Sequence, residues 1–244
     1  LSYYISLAKS KGNNLKYKAF EINQNKSQTL FDKVIKKLPF SLTMAQEKVL
    51  EEVRSDLAKN TPMMRLVQGD VGCGKTLVAL LSMLDVISSG SQAVLLAPTE
   101  ILAKQHAQNF NNLLSDLDIN ISVLLGKMKA AEKKDVYSKI KSGESNIIIG
   151  THAVFQSKLI YNKLGLVIID EQHRFGVKQR EDLLKKGICE YNGDSYRPHQ
   201  LVMTATPIPR TLAMSLYADC DYSVIDQMPA NRLPINTIVM SDKS

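Results

Sequence analysis

Residues Gly69-Asp70-Val71-Gly72-Cys73-Gly74-Lys75-Thr76 follow the pattern G-x-x-x-x-G-K-[ST], and their types describe one kind of chemistry. In that pattern backbone N–H groups wrap the phosphates of a nucleotide, the lysine reaches the outer ones, and the threonine hydroxyl takes Mg²⁺. Glycine is needed where a side chain would block the close approach of a phosphate. The cofactors implied are ATP and Mg²⁺. The pair Asp170-Glu171 supplies what the loop lacks: Asp170 is expected on the metal, and Glu171 as the base that takes a proton from the water attacking the γ-phosphate. Alone, such a pair is more often just a solvated strand end; beside a phosphate loop it reads as catalytic.

Both groups must be held at the carboxyl ends of strands in an open α/β sheet, where ligands bind. Met64 to Gln68 is a short apolar strand, and Thr76 to Ile87 has helical spacing with Leu77, Leu80, Leu81 and Leu84 on one side. Leu166-Val167-Ile168-Ile169 is too short for a globular helix and rich in β-branched residues, which suits a buried parallel strand ending at Asp170. Strands are expected near 64–68, 93–97, 121–125, 146–149, 166–169 and 200–203, with helices between most of them. The fold class is therefore α/β, a mainly parallel sheet covered by helices on both faces. Lys185 to His199, with Gly187, Gly193 and Pro198, reads as an irregular loop. No internal repeat or low-complexity tract interrupts the chain.

With 244 residues the chain is long enough for one large α/β domain and its appendages. Its formal charge of +7 is uneven: residues 1–61 hold 11 Lys and Arg against 6 Asp and Glu, leaving the rest nearly neutral. A basic helical stretch such as Lys33 to Lys37 is most simply a solvated face, and the chain has no Trp and no aromatic and basic alternation for base stacking. The three cysteines, Cys73, Cys189 and Cys220, lack metal-site spacing and suit a reducing, cytoplasmic setting. No apolar run reaches membrane-spanning length, and a start at Leu1 suggests a piece of a longer protein.

The segments LPFSLTMAQ from Leu38, GDVGCGKT from Gly69, APTEILAKQH from Ala97, GTHAVFQ from Gly150, VIIDEQHRFGVKQR from Val167 and MTATPIPRTLAMSLYADCD from Met203 together resemble the first motor domain of the RecG family, bacterial DNA translocases of helicase superfamily 2. DEQHRFGVKQR with TATPIPRT is far more specific than the phosphate loop alone. The resemblance implies a RecA-like P-loop domain over 38–230, preceded at 1–37 by a short helical arm from a wedge domain absent here. The linker to an absent second motor domain would begin at 231–244. It also implies DNA, forked or branched, as partner, and work on stalled forks and recombination intermediates in DNA repair. Cys73 departs from the family, which usually has a small residue such as Ser there; beside Lys75 its thiolate is expected to be favoured, unless it is simply a tolerated small residue.

The same resemblance distributes roles. Gln46 matches a glutamine that recognises adenine through its amide, and Phe40 packs near the base or staples the helix start. Pro98, Thr99 and Glu100, with Gly150, Thr151 and His152, match motifs that hold the sugar-phosphate backbone; Thr99 and Thr151 also suit plain helix caps. Thr204 and Thr206 match a segment that couples the ATP and DNA sites, with hydroxyls bonding the acidic strand end, and His173 joins that relay or serves structure alone. Arg174, Arg180 and Arg210 are DNA-contact or packing candidates, because the arginine finger of this superfamily comes from the second motor domain. His106, His152 and His199 lack metal-ligand spacing. Two other functions fit the motifs less well: the motor of a transcription-repair coupling factor, and a nucleotide-gated binding module without DNA-coupled turnover.

Overall fold

The computed structural model describes residues 17–171, 185–191, 193–206 and 220–229. The readings of His173, Arg174, Arg180 and Arg210, of the first sixteen residues and of the linker at 231–244 fall outside these. Seven strands form one sheet: β1 (Met64–Gly69), β2 (Gln92–Leu96), β3 (Ile121–Leu124), β4 (Ile147–Gly150), β5 (Leu164–Asp170), β8 (His199–Thr204) and β9 (Asp221–Ile225), in the order β3-β4-β2-β5-β8-β1-β9. Every pairing in it is parallel.

The strands are buried runs because both faces are covered. Ala93 and Leu95 of β2 enter one apolar cluster while Val94 and Leu96 enter the other, and Ile147, Ile149 and Ile148 of β4 divide the same way. That is the two-residue period of a strand expressed as two cores. Helices α1 (Gln28–Lys37), α2 (Met44–Leu57), α3 (Lys75–Ser88), α4 (Glu100–Leu114) and α5 (Ala130–Ser142) lie over the sheet. α3 is buried along most of its length, from Val78 through Val86, so it is apolar nearly all round rather than along one stripe. The larger cluster contains residues of α1, α2, α3 and α4. No helix among the described residues is long and apolar enough to cross a membrane.

Register brings the chemistry to one edge. Gln68 pairs with Thr204, Gly69 with Ile225, Asp170 with Met203, and Leu96 with both Gly150 and Ile169. The carboxyl ends of neighbouring strands are therefore level, and the loops leaving them share a rim.

Three features differ from the sequence expectation. Residues 185–199 are not wholly irregular: β6 (Cys189–Tyr191) and β7 (Asp194–Tyr196) form an antiparallel hairpin, turned at Gly193 with φ 82°. β9 completes the sheet next to β1, an edge strand whose alternating exposure gives it little apolar signature. Residues 17–23, read as part of a helical arm, are not helical, and a 3-10 turn at Gln24–Lys26 separates them from α1. There Lys18 joins the hairpin, its N–H donating to the Ser195 carbonyl at 2.9 Å while Arg197 N–H donates to the Lys18 carbonyl at 2.8 Å. Phe20 stacks on Tyr196 at 4.5 Å with Lys163 Nζ 4.4 Å from its ring. Further on, Phe31 and Val34 of α1 enter the larger core, and Ser27 donates to the buried Asp85 carboxylate, which Arg54 also meets at 3.1 Å. Residues 18–37 thus share the sheet's own core.

Candidate functional site

Two left-handed glycines shape the phosphate loop between β1 and α3, Gly72 at φ 84° and Gly74 at φ 95°. Gly74 is the N-cap of α3, and its carbonyl accepts from Leu77 at 2.9 Å and Val78 at 3.2 Å. A Cβ at Gly74 would lie 2.1 Å from Nε2 of Gln46, so glycine is required by conformation and by space. Asp70, Val71 and Gly72 are exposed on the outer turn. Lys75 is buried, its ammonium donating to the Gly69 carbonyl at 2.6 Å and the Asp70 carbonyl at 3.0 Å. Cys73 is 1% exposed, and a Cβ on Gly69 would lie 2.5 Å from its Sγ, so the thiol packs against Gly69. Burial pushes its thiol up despite Lys75 nearby, reversing the expected thiolate.

Gln46 braces this loop. Its Oε1 accepts from Thr43 N–H at 2.9 Å in a reciprocal capping box at the start of α2, and its Nε2 donates to the Cys73 carbonyl at 2.7 Å. The side chain is buried, and one N–H and one lone pair of the amide remain unused by these bonds. Phe40 is half-buried before α2, at a position other than the residue just ahead of the Thr43 cap, which is Leu42.

At the end of β5, Asp170 is 9% exposed and its Oδ2 lies 3.0 Å from Nε2 of His106, itself buried on α4. No described residue hydrogen-bonds its Oδ1. Glu171 has φ 49°, a left-handed conformation unusual for a residue with a side chain and of the kind that collects at functional sites. Its carboxylate accepts from the Ala205 amide, at 3.2 Å to Oε1 and 3.4 Å to Oε2. The link between acidic strand end and the segment after β8 is thus a backbone amide. The hydroxyls of Thr204 and Thr206, expected to make it, bond each other at 2.8 Å.

The remaining candidates gather on the β3-β4-β2 side of the rim. Thr99 caps α4, its hydroxyl accepting from Leu102 N–H at 3.2 Å, and Pro98 is half-buried before it. Glu100 accepts from the Lys127 amide at 3.3 Å. A Cβ on Gly126 would lie 3.0 Å from the His152 ring and 3.4 Å from the Glu100 carboxylate, so three loops converge there. Gly150 must be glycine because a Cβ would lie 2.4 Å from the Leu124 carbonyl. Thr151 is not a side-chain cap; its hydroxyl is buried with no hydrogen-bond partner among the described residues, and exposed His152 begins a 3-10 turn to Phe155. His106, Gly126 and Lys127 are the neighbours that motif reading passes over. Only His106 carries a hint in the sequence, as a polar residue on the otherwise apolar face of α4.

A cofactor is tested by the donors at hand. Among the described residues no cluster of three or more His, Cys, Asp or Glu could hold a metal by itself. The Thr76 hydroxyl and Asp170 Oδ1, both without a described hydrogen-bond partner, are hard oxygens that fit Mg²⁺, an ion that keeps waters and takes its other ligands from nucleotide phosphates. The loop, with its glycines and its buried lysine, fits the phosphates.

Comparison with known proteins agrees with this geometry, since the family described as DEAD/DEAH box helicase matches residues 43–215. The chain belongs to the DEAD/DEAH box helicase family. In this member the tetrapeptide that begins with the last residue of β5 is Asp170-Glu171-Gln172-His173. The chain is 48% identical over 242 residues to the ATP-dependent DNA helicase RecG of Escherichia coli K12, covering 99% of this chain and 34% of that protein. To the RecG of Aquifex aeolicus it is 47% identical over 235 residues, 96% of this chain and 29% of that one. It therefore spans about a third of the relatives it matches. A structure of RecG bound to a three-way DNA junction superposes with a TM-score of 0.79 at 35% identity, over 96% of this chain and 30% of the other. The helicase MrfA bound to DNA shares the fold, with a TM-score of 0.62 at 18% identity over 88% of this chain and 31% of that one. The fold is that of a helicase RecA-like domain, and the similarity to RecG runs along nearly the whole chain.

Proposed function

We propose that this chain is the ATP-binding half of an ATP-dependent DNA translocase that remodels stalled forks and branched recombination intermediates in the bacterial cytoplasm. The observation that carries the reading is the pairing of a complete phosphate loop with Glu171, whose carboxylate is bonded to the Ala205 amide of the segment after β8. RecG relatives matched over nearly the whole chain supply the substrate class.

In this reading the amides of Gly69 to Thr76 receive the phosphates, and Lys75 exchanges the two loop carbonyls for phosphate oxygens. Thr76 and Asp170 would hold Mg²⁺, which when bound would supply neutralisation of phosphate charge. Glu171 orients a water in line with the γ-phosphorus and accepts its proton as the P–O bond to ADP breaks, giving phosphate. Gln46 holds the loop and offers its unused amide valences to adenine. Pro98, Thr99, Glu100, Gly150, Thr151 and His152 line the edge that meets the sugar-phosphate backbone. Thr204 and Thr206, through Ala205, report the state of Glu171 to that edge, with His173 as a further member. A second motor domain closes over the nucleotide with an arginine finger, and a wedge domain splits the fork. Without the finger, typically worth about 10³ to 10⁵ in rate, this chain alone turns over poorly.

The test is ATP hydrolysis by the intact protein on forked DNA, linear duplex, single strands and RNA. Strongest stimulation by the fork, abolished by Glu171→Gln, is expected. Turnover without any nucleic-acid dependence would favour a nucleotide-gated switch, and a preference for RNA would overturn the substrate class.

A further inference from the structure

The buried contact between His106 and Asp170 lies outside the roles assigned above. Ring Nε2 is 3.0 Å from Oδ2, and His106 and Asp170 are 7% and 9% exposed, so the contact is shielded from water. An ionised carboxylate can only accept, which places the proton on Nε2. The ring has its own support: Phe110, one turn further along α4 and fully buried, lies 6.3 Å from it in a tilted arrangement. One carboxylate oxygen is thus occupied by a donor on another element, and Oδ1 alone is left to face a metal.

We propose that His106 is a positioning residue for the metal-holding carboxylate, fixing the rotamer of Asp170 so that Oδ1 is presented to Mg²⁺. This rests on the reading of Asp170 as the metal carboxylate. The placement also gives α4 a second duty. Its N-terminal turn carries Thr99 and Glu100 at the proposed DNA edge, and His106 sits about 10 Å further along the same rigid helix. A shift of α4 on DNA would therefore be felt directly at Asp170. A donor that orients a metal ligand in this way is typically worth about 10- to 100-fold in metal affinity.

The experiment measures binding of a fluorescent ADP analogue to the intact protein, first in EDTA and then across a Mg²⁺ titration. Wild type is compared with His106→Leu, which fills the space without donating, and His106→Gln, whose amide keeps an N–H near the position of Nε2. The expected result is unchanged affinity in EDTA for both variants. His106→Leu should need about 10- to 100-fold more Mg²⁺ to reach the wild-type complex, and His106→Gln less than about 5-fold more. An unchanged Mg²⁺ requirement in His106→Leu overturns the proposal. Should the leucine variant not fold, His106→Ala replaces it as the variant without a donor: an unchanged Mg²⁺ requirement there overturns the proposal, and one raised about 10-fold or more, with His106→Gln close to wild type, supports it. Hydrolysis on forked DNA by the wild type is followed in parallel. Loss of DNA stimulation there would sink the proposed function while leaving the metal titration to judge His106 by itself.

Discussion

Acidification should unfold this domain through His199. The imidazole is fully buried at the start of β8; its Nδ1 accepts from Met63 N–H at 3.1 Å, and its Nε2 faces the Phe20 carbonyl at 3.3 Å. Only the neutral ring can make both bonds, since a protonated Nδ1 would point its hydrogen at the Met63 N–H. Burial pushes the imidazole down from its ordinary value of 6.5 to about 4, against the opposing pull of the Phe20 carbonyl. Because the unfolded chain binds this proton more readily, the stabilisation is fully present above pH 6.5 and is lost as pH falls towards 4. The slope is about 1.4 kcal/mol for each pH unit, and the whole window is worth on the order of 3 kcal/mol, a large share of a typical domain's stability. Asp85 works in the opposite direction: burial raises its carboxyl, so acid relieves a cost there, and the two must be separated. His199→Asn keeps an acceptor near Nδ1 and does not titrate. Urea unfolding midpoints of wild type and variant, taken at steps from pH 7.5 to 4.5, isolate the residue. The variant should start about 1 kcal/mol less stable from the lost bond to Phe20, and the two curves should cross near pH ~6, leaving the variant the more stable at pH 4.5. Parallel curves between pH 6.5 and 4.5 would refute the reasoning.

The other expectations concern the nucleotide loop. Gly74→Ala should cost about 1–2 kcal/mol from the left-handed backbone and about 1 more from displacing Gln46, seen as at least a 10-fold weaker nucleotide titration. Lys75→Ala in the intact protein should weaken nucleotide binding itself, whereas Glu171→Gln should retain ATP and stop turnover; near-normal turnover in the glutamine variant would remove the base assignment. With its thiol raised and buried, Cys73 should be alkylated at pH 7.5 much more slowly than Cys220, by peptide-resolved mass spectrometry, and at the rate of unfolding. Comparable rates at the two cysteines would show the loop to be open.

Much of the site is legible in the amino-acid sequence because its signals are local. The phosphate loop is eight consecutive residues, and the strands that deliver Gly69, Asp170 and Thr204 are apolar runs bounded by polar residues. Expected and observed limits of the six strands named from sequence agree to within about two residues. β9 escapes such a reading because an edge strand with alternating exposure has no such run, and the β6–β7 hairpin because its strands are only three residues each, with β7 half-buried throughout. Residues 18–22 read as part of an arm, yet Phe20 packs on Tyr196 and Ile22 lies in the main core. Their partners stand far away in the chain, and no periodicity announces them.

The sequence by itself determined the kind of chemistry, the parallel α/β class and the edge of the sheet where the chemistry sits. Residue type and short spacing are enough for a glycine turn, a lysine at its end and a carboxylate closing a buried strand. Only the tertiary structure decided which atom meets which. Gln46 reaches Cys73 across 27 residues, Glu171 reaches Ala205 across 34, and His106 reaches Asp170 across 64. Each pairing depends on which helix lies over which strand and at what rotation. Hydrophobic burial selects the buried face of a helix without regard to sequence distance, whereas a hydrogen bond forms only where packing has already set two atoms about 3 Å apart.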